Sequence, residues 1–110
     1  HVCDLADARI LALNRVQHLD FGENEGNFEV YNLGTGVGYS VKEVVDTFVT
    51  ISGVHLKHDF GPRRSGDVEQ VWADPLKANK ILGWKTKRGL KEMLESAWKW
   101  QLALSKKKSN

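Results

Sequence analysis

Along residues 41–49 the apolar side chains fall at Val41, Val44, Val45, Phe48 and Val49. That i, i+3, i+4, i+7, i+8 spacing is one stripe of a helix, and a stripe of this kind faces a core. Ser40 before it and Glu43 three residues on form a capping box, and Gly53 is the stop. Upstream, Leu5, Ala8, Ala12 and Val16 recur at helical spacing, which predicts a helix over 4–18 with Asp4 as its cap. Asp74-Pro75 is a helix start, with proline at the first helical position, and that helix ends at Gly83. Leu90, Met93, Leu94, Ala97, Trp98 and Gln101 mark a last helix whose Met/Trp stripe reads as core. Alternation predicts a short strand over Phe28–Asn32 and a second over Val54–Phe60, stopped by Pro62; Trp84–Thr86 is a third strand or a turn. Leu19–Asn27 is polar and reads as a loop. The expected class is α/β, about four helices with two to three short strands. A lone sheet of that size has long exposed edges, so the Tyr31 strand is expected to pair with neighbours outside this chain.

Composition narrows the picture modestly. At 110 residues, 41% apolar and with four tryptophans, the chain is one domain's worth and has the makings of a folded protein. Its single cysteine, Cys3, excludes an internal disulfide framework. No apolar run approaches the length of a membrane span, and no signal peptide is readable, so the cytoplasm is the default location. Charge is uneven: residues 1–60 hold four Lys/Arg against nine Asp/Glu, and residues 61–110 hold twelve against five. A basic second half suits an anionic ligand, but solvated helix faces and the Ser105–Asn110 tail account for it equally. Three tail lysines are too few for a nucleic-acid or membrane patch. His55 and His58 would lie on opposite faces of a strand, which argues against a shared metal.

Candidate chemistry concentrates in Gly61-Pro62-Arg63-Arg64-Ser65-Gly66-Asp67-Val68, followed by Val71-Trp72-Ala73-Asp74-Pro75. Arginine offers a planar fork of donors to phosphate oxygens. Gly66 lets backbone approach a ligand, and an ionised Asp67 accepts hydrogen bonds from vicinal hydroxyls. The pattern fits a diphosphate and a sugar diol, and a solvated loop carries the same residue types. Gly34-Thr35-Gly36-Val37-Gly38 sits where a dinucleotide loop would sit. It reads G-x-G-x-G, with Tyr39 in place of the needed third glycine, so no NAD assignment rests on it.

Four stretches carry a resemblance: His1-Val2-Cys3-Asp4-Leu5-Ala6-Asp7 (HVxDLA), Tyr31 to Val41 (YNLGTGxGxSV), Pro62 to Asp67 (PRRxGD) and Ala78 to Trp84 (AxxxLGW). The chain resembles, from residue 1 to about 104, the C-terminal part of the UDP-galactose (UDP-glucose) 4-epimerases, which belong to the extended short-chain dehydrogenase/reductase superfamily. The family's amino-terminal half carries a G-x-x-G-x-x-G loop and a Tyr-x-x-x-Lys pair; neither occurs here, since Tyr39 is followed at that spacing by Glu43 and Tyr31 by Thr35. The chain is therefore expected to be a piece of a longer enzyme.

The resemblance implies the substrate-binding part of an NAD(P)-binding, Rossmann-like extended fold, with residues 1–104 as a UDP-sugar-binding region and 105–110 as a polar, basic tail. It implies interconversion of UDP-glucose and UDP-galactose at C4 through a 4-keto sugar, with NAD held by the missing half and no catalytic or cofactor-binding residue in this chain. A homodimer is expected for the intact enzyme. By family position Arg64 should meet the diphosphate, Asp67 a ribose hydroxyl, and Val41 should pack beside the nucleotide. Arg63 could serve the site or a structural ion pair. Val71 stands where the family lines the hexose pocket; as a small residue it leaves room for UDP-N-acetylhexosamines, or it merely packs in the core. A UDP-pentose or UDP-uronate epimerase, a non-catalytic nucleotide-sugar-binding module and a scaffold domain remain the alternatives.

Overall fold

The computed structural model describes residues 1–19, 28–68 and 70–108. Its four helices are α1 (Val2–Val16), α2 (Val41–Ser52), α3 (Leu76–Leu82) and α4 (Leu90–Lys108). The chain separates into two compact units, one of His1–Val37 and Trp72–Lys87, the other of Gly38–Val71 and Arg88–Asn110.

In the first unit α1 packs on α3. Ala8 and Ala78, both buried, put no bulk between the helices, and buried Trp84 completes the core, with Leu11, Tyr31, Leu33 and Leu82 against it. The Trp84 indole Nε1–H donates to the Asp4 carbonyl at 2.7 Å, so the ring's one polar atom is satisfied inside. Asp4 is itself buried, and its carboxylate accepts the Lys87 backbone N–H at 3.3 Å. Asp4 is thus not the helix cap that its position suggested. The helix begins earlier, at Val2, and His1 caps it by accepting the Cys3 N–H at Nδ1 (3.2 Å). A carboxylate drawn toward Lys87 cannot also point back at its own first turn.

A second tie crosses the surface of this unit. Arg15 grips Glu29 through two hydrogen bonds of 2.5 and 2.8 Å, and the Tyr31 hydroxyl donates to the same carboxylate at 2.6 Å. Lys77 of α3 donates to the Val30 carbonyl at 2.9 Å and stands 4.9 Å from the centre of the Tyr31 ring. Backbone 28–31 is therefore held by side chains rather than by a ladder.

In the second unit α2 packs on α4. Phe48 meets Trp98 edge to face, with ring centres 5.3 Å apart, worth about 0.5–1.5 kcal/mol beyond area burial. Val44, Val45, Phe48 and Val49 are half-buried, and Val41 is 82% exposed. The stripe read as core is thus covered on one side only, because α4 is the sole helix against it among the described residues. The capping box forms as expected: the Ser40 hydroxyl accepts the Glu43 N–H at 3.1 Å, and Glu43 accepts the Ser40 N–H at 2.7 Å. Gly53 ends α2 at φ 67°, the left-handed region where a side chain is disfavoured.

Two expectations are corrected. Among the described residues there is no strand: Phe28–Asn32, Val54–Phe60 and Trp84–Thr86 lie outside regular structure. A strand exists only by hydrogen bonding to another, and none of these segments meets a partner strand here. The helix expected to start at Asp74-Pro75 starts one residue later, at Leu76, with Asp74 Oδ1 accepting the Leu76 N–H at 3.0 Å. Helix α4 reaches Lys108, so residues 105–108 of the polar, basic tail are helical. Most of the loop read over Leu19–Asn27 lies outside the described residues. No described helix is long and apolar enough to cross a membrane.

Candidate functional site

The Pro62–Asp67 segment folds into a turn. Gly66 adopts φ 86°, a conformation that glycine alone reaches cheaply. The Asp67 N–H points back to the Arg64 carbonyl at 3.4 Å, and Arg63 Nη2 donates to the Asp67 carbonyl at 2.9 Å. Arg64 and Asp67 thus sit on one short, tied turn, both exposed. Among the described residues neither side chain has a hydrogen-bond or ion-pair partner. The two adjacent arginines, indistinguishable by composition, have different surroundings: one guanidinium is engaged by the turn, the other faces solvent.

Val41 is the first residue of α2, immediately after the Ser40 cap, and Val71 lies in irregular backbone, 80% exposed. All four expected site residues belong to the second unit. Arg64 and Asp67 are brought together by the turn, and among the described residues no hydrogen bond or ion pair joins Val41 or Val71 to it. An open cleft of about 670 Å³ runs along α3 between Leu76, Lys77, Asn79, Lys80, Ile81 and Lys85. It contains none of the four.

The glycine loop does not fit a dinucleotide. A Cβ placed on Gly34 would stand 3.0 Å from the Ala73 Cβ, and one on Gly36 would stand 3.5 Å from Pro75 Cδ. The space that Gly34 leaves is filled by Ala73, and a pyrophosphate has no cradle there. The first turn of α2 is likewise served by Ser40 and Glu43, and the backbone and side-chain hydrogen bonds from Ser40 lower the Glu43 pKa and keep it anionic. A fixed negative charge at that helix start opposes a phosphate. Among the described residues no group of three or more His, Cys, Asp or Glu is placed to hold a metal.

Sequence reading missed the pairing of Asp4 with Trp84 and Lys87, which joins the HVxDLA stretch to the LGW stretch across 80 residues. The co-occurrence of those two motifs was the available signal. The tie of Arg15, Glu29 and Lys77 to Tyr31 gave no signal, since each of the three charged residues alone reads as an ordinary surface residue.

Comparison with known proteins bears on the same residues. The chain is 46% identical over 101 residues to a UDP-glucose 4-epimerase of Bacillus subtilis, covering 92% of this chain and 28% of that protein. It is 45% identical over 101 residues to UDP-arabinose 4-epimerase 1 of Arabidopsis thaliana, covering 91% and 22%. The crystal structure of UDP-glucose 4-epimerase from Bifidobacterium longum in complex with NAD+ and UDP superposes with a TM-score of 0.77 at 38% identity, over 94% of this chain and 29% of that one. The chain therefore spans under a third of the length of these relatives. The sequence profile of the GDP-mannose 4,6 dehydratase family matches residues 1–97, most of the chain, and the chain belongs to that family.

Proposed function

We propose that this chain is the UDP-sugar-binding portion of a UDP-glucose 4-epimerase, an NAD-dependent isomerase that interconverts the C4 epimers UDP-glucose and UDP-galactose. The observation that carries the reading is the tied Gly66 turn, which presents the Arg64 guanidinium and the Asp67 carboxylate three residues apart, both unpaired among the described residues: a cation for the diphosphate and an acceptor for the ribose diol. The similarity to 4-epimerases over nine-tenths of the chain supports it. In this reading residues 1–104 form the binding region, Arg64 meets the diphosphate, Asp67 a ribose hydroxyl, and Val41 packs beside the nucleotide. NAD does not fit the residues described here and belongs to another part of the intact enzyme, as do the catalytic residues. There the 28–32 segment would gain strand neighbours in an α/β, Rossmann-like extended fold. The intact protein would be a cytoplasmic homodimer.

The nucleotide should carry most of the binding energy, leaving the hexose free to present either face. The test is calorimetric titration with UDP of the wild-type chain and of Arg64→Ala. Loss of a partner for a phosphate charge costs roughly 2–5 kcal/mol, and Asp67→Asn should weaken UDP less, since one acceptor remains. Equal affinity of Arg64→Ala and wild type removes the diphosphate assignment.

Val71 supports a finer reading, in which the intact enzyme also accepts UDP-N-acetylhexosamines because valine leaves room at the sugar's C2. Val71→Tyr should then lower kcat/KM for UDP-N-acetylgalactosamine by roughly tenfold or more, an over-packing penalty of about 1–3 kcal/mol, and spare UDP-galactose. Equal losses for both sugars would show that Val71 is not the gate. The UDP-pentose alternative draws its support from the similarity to UDP-arabinose 4-epimerase 1, and the same assay with UDP-arabinose decides it.

A further inference from the structure

We propose that Arg63 is a positioning residue: by donating to the Asp67 carbonyl it holds the Gly66 turn in the shape that presents Arg64 and Asp67 together to a nucleoside diphosphate. The proposal rests on the functional reading above and adds a role for the one arginine of the pair that the reading leaves unassigned. The turn is tied by the bonds from Arg63 Nη2 to Asp67 O at 2.9 Å and from Asp67 N to Arg64 O at 3.4 Å. The backbone bond is long, so the side-chain bond is the stronger of the two. It spans from the residue before Arg64 to Asp67 itself, and so fixes the separation of the two exposed groups. Gly66 adds no stiffness of its own, because glycine moves readily among backbone conformations. Diphosphate and ribose are parts of one small molecule, so a cation and an acceptor held at a set distance bind it better than the same two groups on a loose loop.

The tie needs one donor at the end of a long side chain, a task that lysine can perform. A phosphate contact through a guanidinium fork is one that lysine performs poorly. The two neighbouring arginines should therefore respond in opposite ways to the same change: Arg63→Lys tolerated, Arg64→Lys damaging.

The experiment titrates UDP by calorimetry into the wild-type chain, Arg63→Met, Arg63→Lys, Arg64→Ala and the Arg63→Met/Arg64→Ala pair, and follows hydrogen exchange at the Asp67 amide. Arg63→Met should weaken UDP roughly three- to tenfold, the net worth of a typical intramolecular hydrogen bond, and speed Asp67 exchange. Arg63→Lys should stay within about twofold of wild type, as a neutral surface change does. Adding Arg63→Met to Arg64→Ala should cost less than it does alone, because Arg63 acts through Arg64. Full additivity, with Arg63→Lys as harmful as Arg63→Met, would mean that Arg63 touches the ligand directly and overturns the positioning role. Faster Asp67 exchange with unchanged UDP affinity overturns it too. A wild-type chain that shows no saturable UDP binding sinks the site reading itself, and the proposal with it, an outcome distinct from the other two. An unchanged thermal midpoint in Arg63→Met separates all of these from unfolding.

Discussion

The two units of the chain solve the problem of a small core differently. The unit of residues 1–37 and 72–87 buries Asp4, Ala8, Ala78 and Trp84 almost completely and joins segments 80 residues apart through the Trp84 and Lys87 hydrogen bonds. The unit of residues 38–71 and 88–110 buries no α2 residue and relies on one helix pair with the Phe48–Trp98 contact at its centre. Yet the second unit has the better local signals: a complete capping box, a glycine stop and an i,i+4 ion pair between Lys42 and Asp46. Local signals define a helix, and long-range burial anchors it. The expected site residues all lie in the unit with less anchoring, consistent with binding elements being drawn from the less stable parts of a fold.

The comparison breaks most visibly at Trp84. Trp84→Ala removes a buried ring and the indole N–H that donates to the Asp4 carbonyl, so about 3–5 kcal/mol should be lost. Urea unfolding followed by circular dichroism measures it, and a loss no larger than that of a surface change would contradict an anchored first unit. Phe48→Ala should cost less, roughly 1–2 kcal/mol, because a half-buried ring forfeits only part of the usual buried-aromatic penalty. If the two variants lose equal stability, the asymmetry between the units is not real.

The smallest effect concerns pH. The Arg15 hydrogen bonds, then that from Tyr31, lower the Glu29 pKa from its ordinary value of 4.5 to about 2. A depressed carboxylate contributes stability that is present in full above its unfolded pKa and is lost as pH falls through the folded value. Glu29 should thus stabilise the first unit above about pH 5, with the contribution fading between there and pH 2. The carboxyl carbon shift of Glu29, followed by NMR, should titrate near 2, and Arg15→Gln should return it toward the usual carboxylate range. A wild-type midpoint at 4 or above would show that the Arg15 grip does not persist in solution.

Helix identity, the Ser40–Glu43 box and the glycine stops at Gly53 and Gly83 were all legible in the residues, because each depends on neighbours within about four positions. Asp4 was not legible. A carboxylate near a helix start reads as a cap, and only the arrival of Lys87 and Trp84 from the far end of the chain makes it a buried bridge. The strands were over-read for the converse reason: alternation marks a segment fit to pair, but pairing needs a second strand, and Phe28–Asn32 is held instead by Arg15, Lys77 and the Tyr31 hydroxyl. Likewise composition could not separate Arg63 from Arg64; the fold of one turn did, by spending one guanidinium on a carbonyl and leaving its neighbour exposed. The sequence by itself determined what is set by short spacing and residue chemistry. The tertiary structure decided every feature that depends on which distant group reaches a given polar atom first, since a buried donor or acceptor must be satisfied and sequence distance does not say by what.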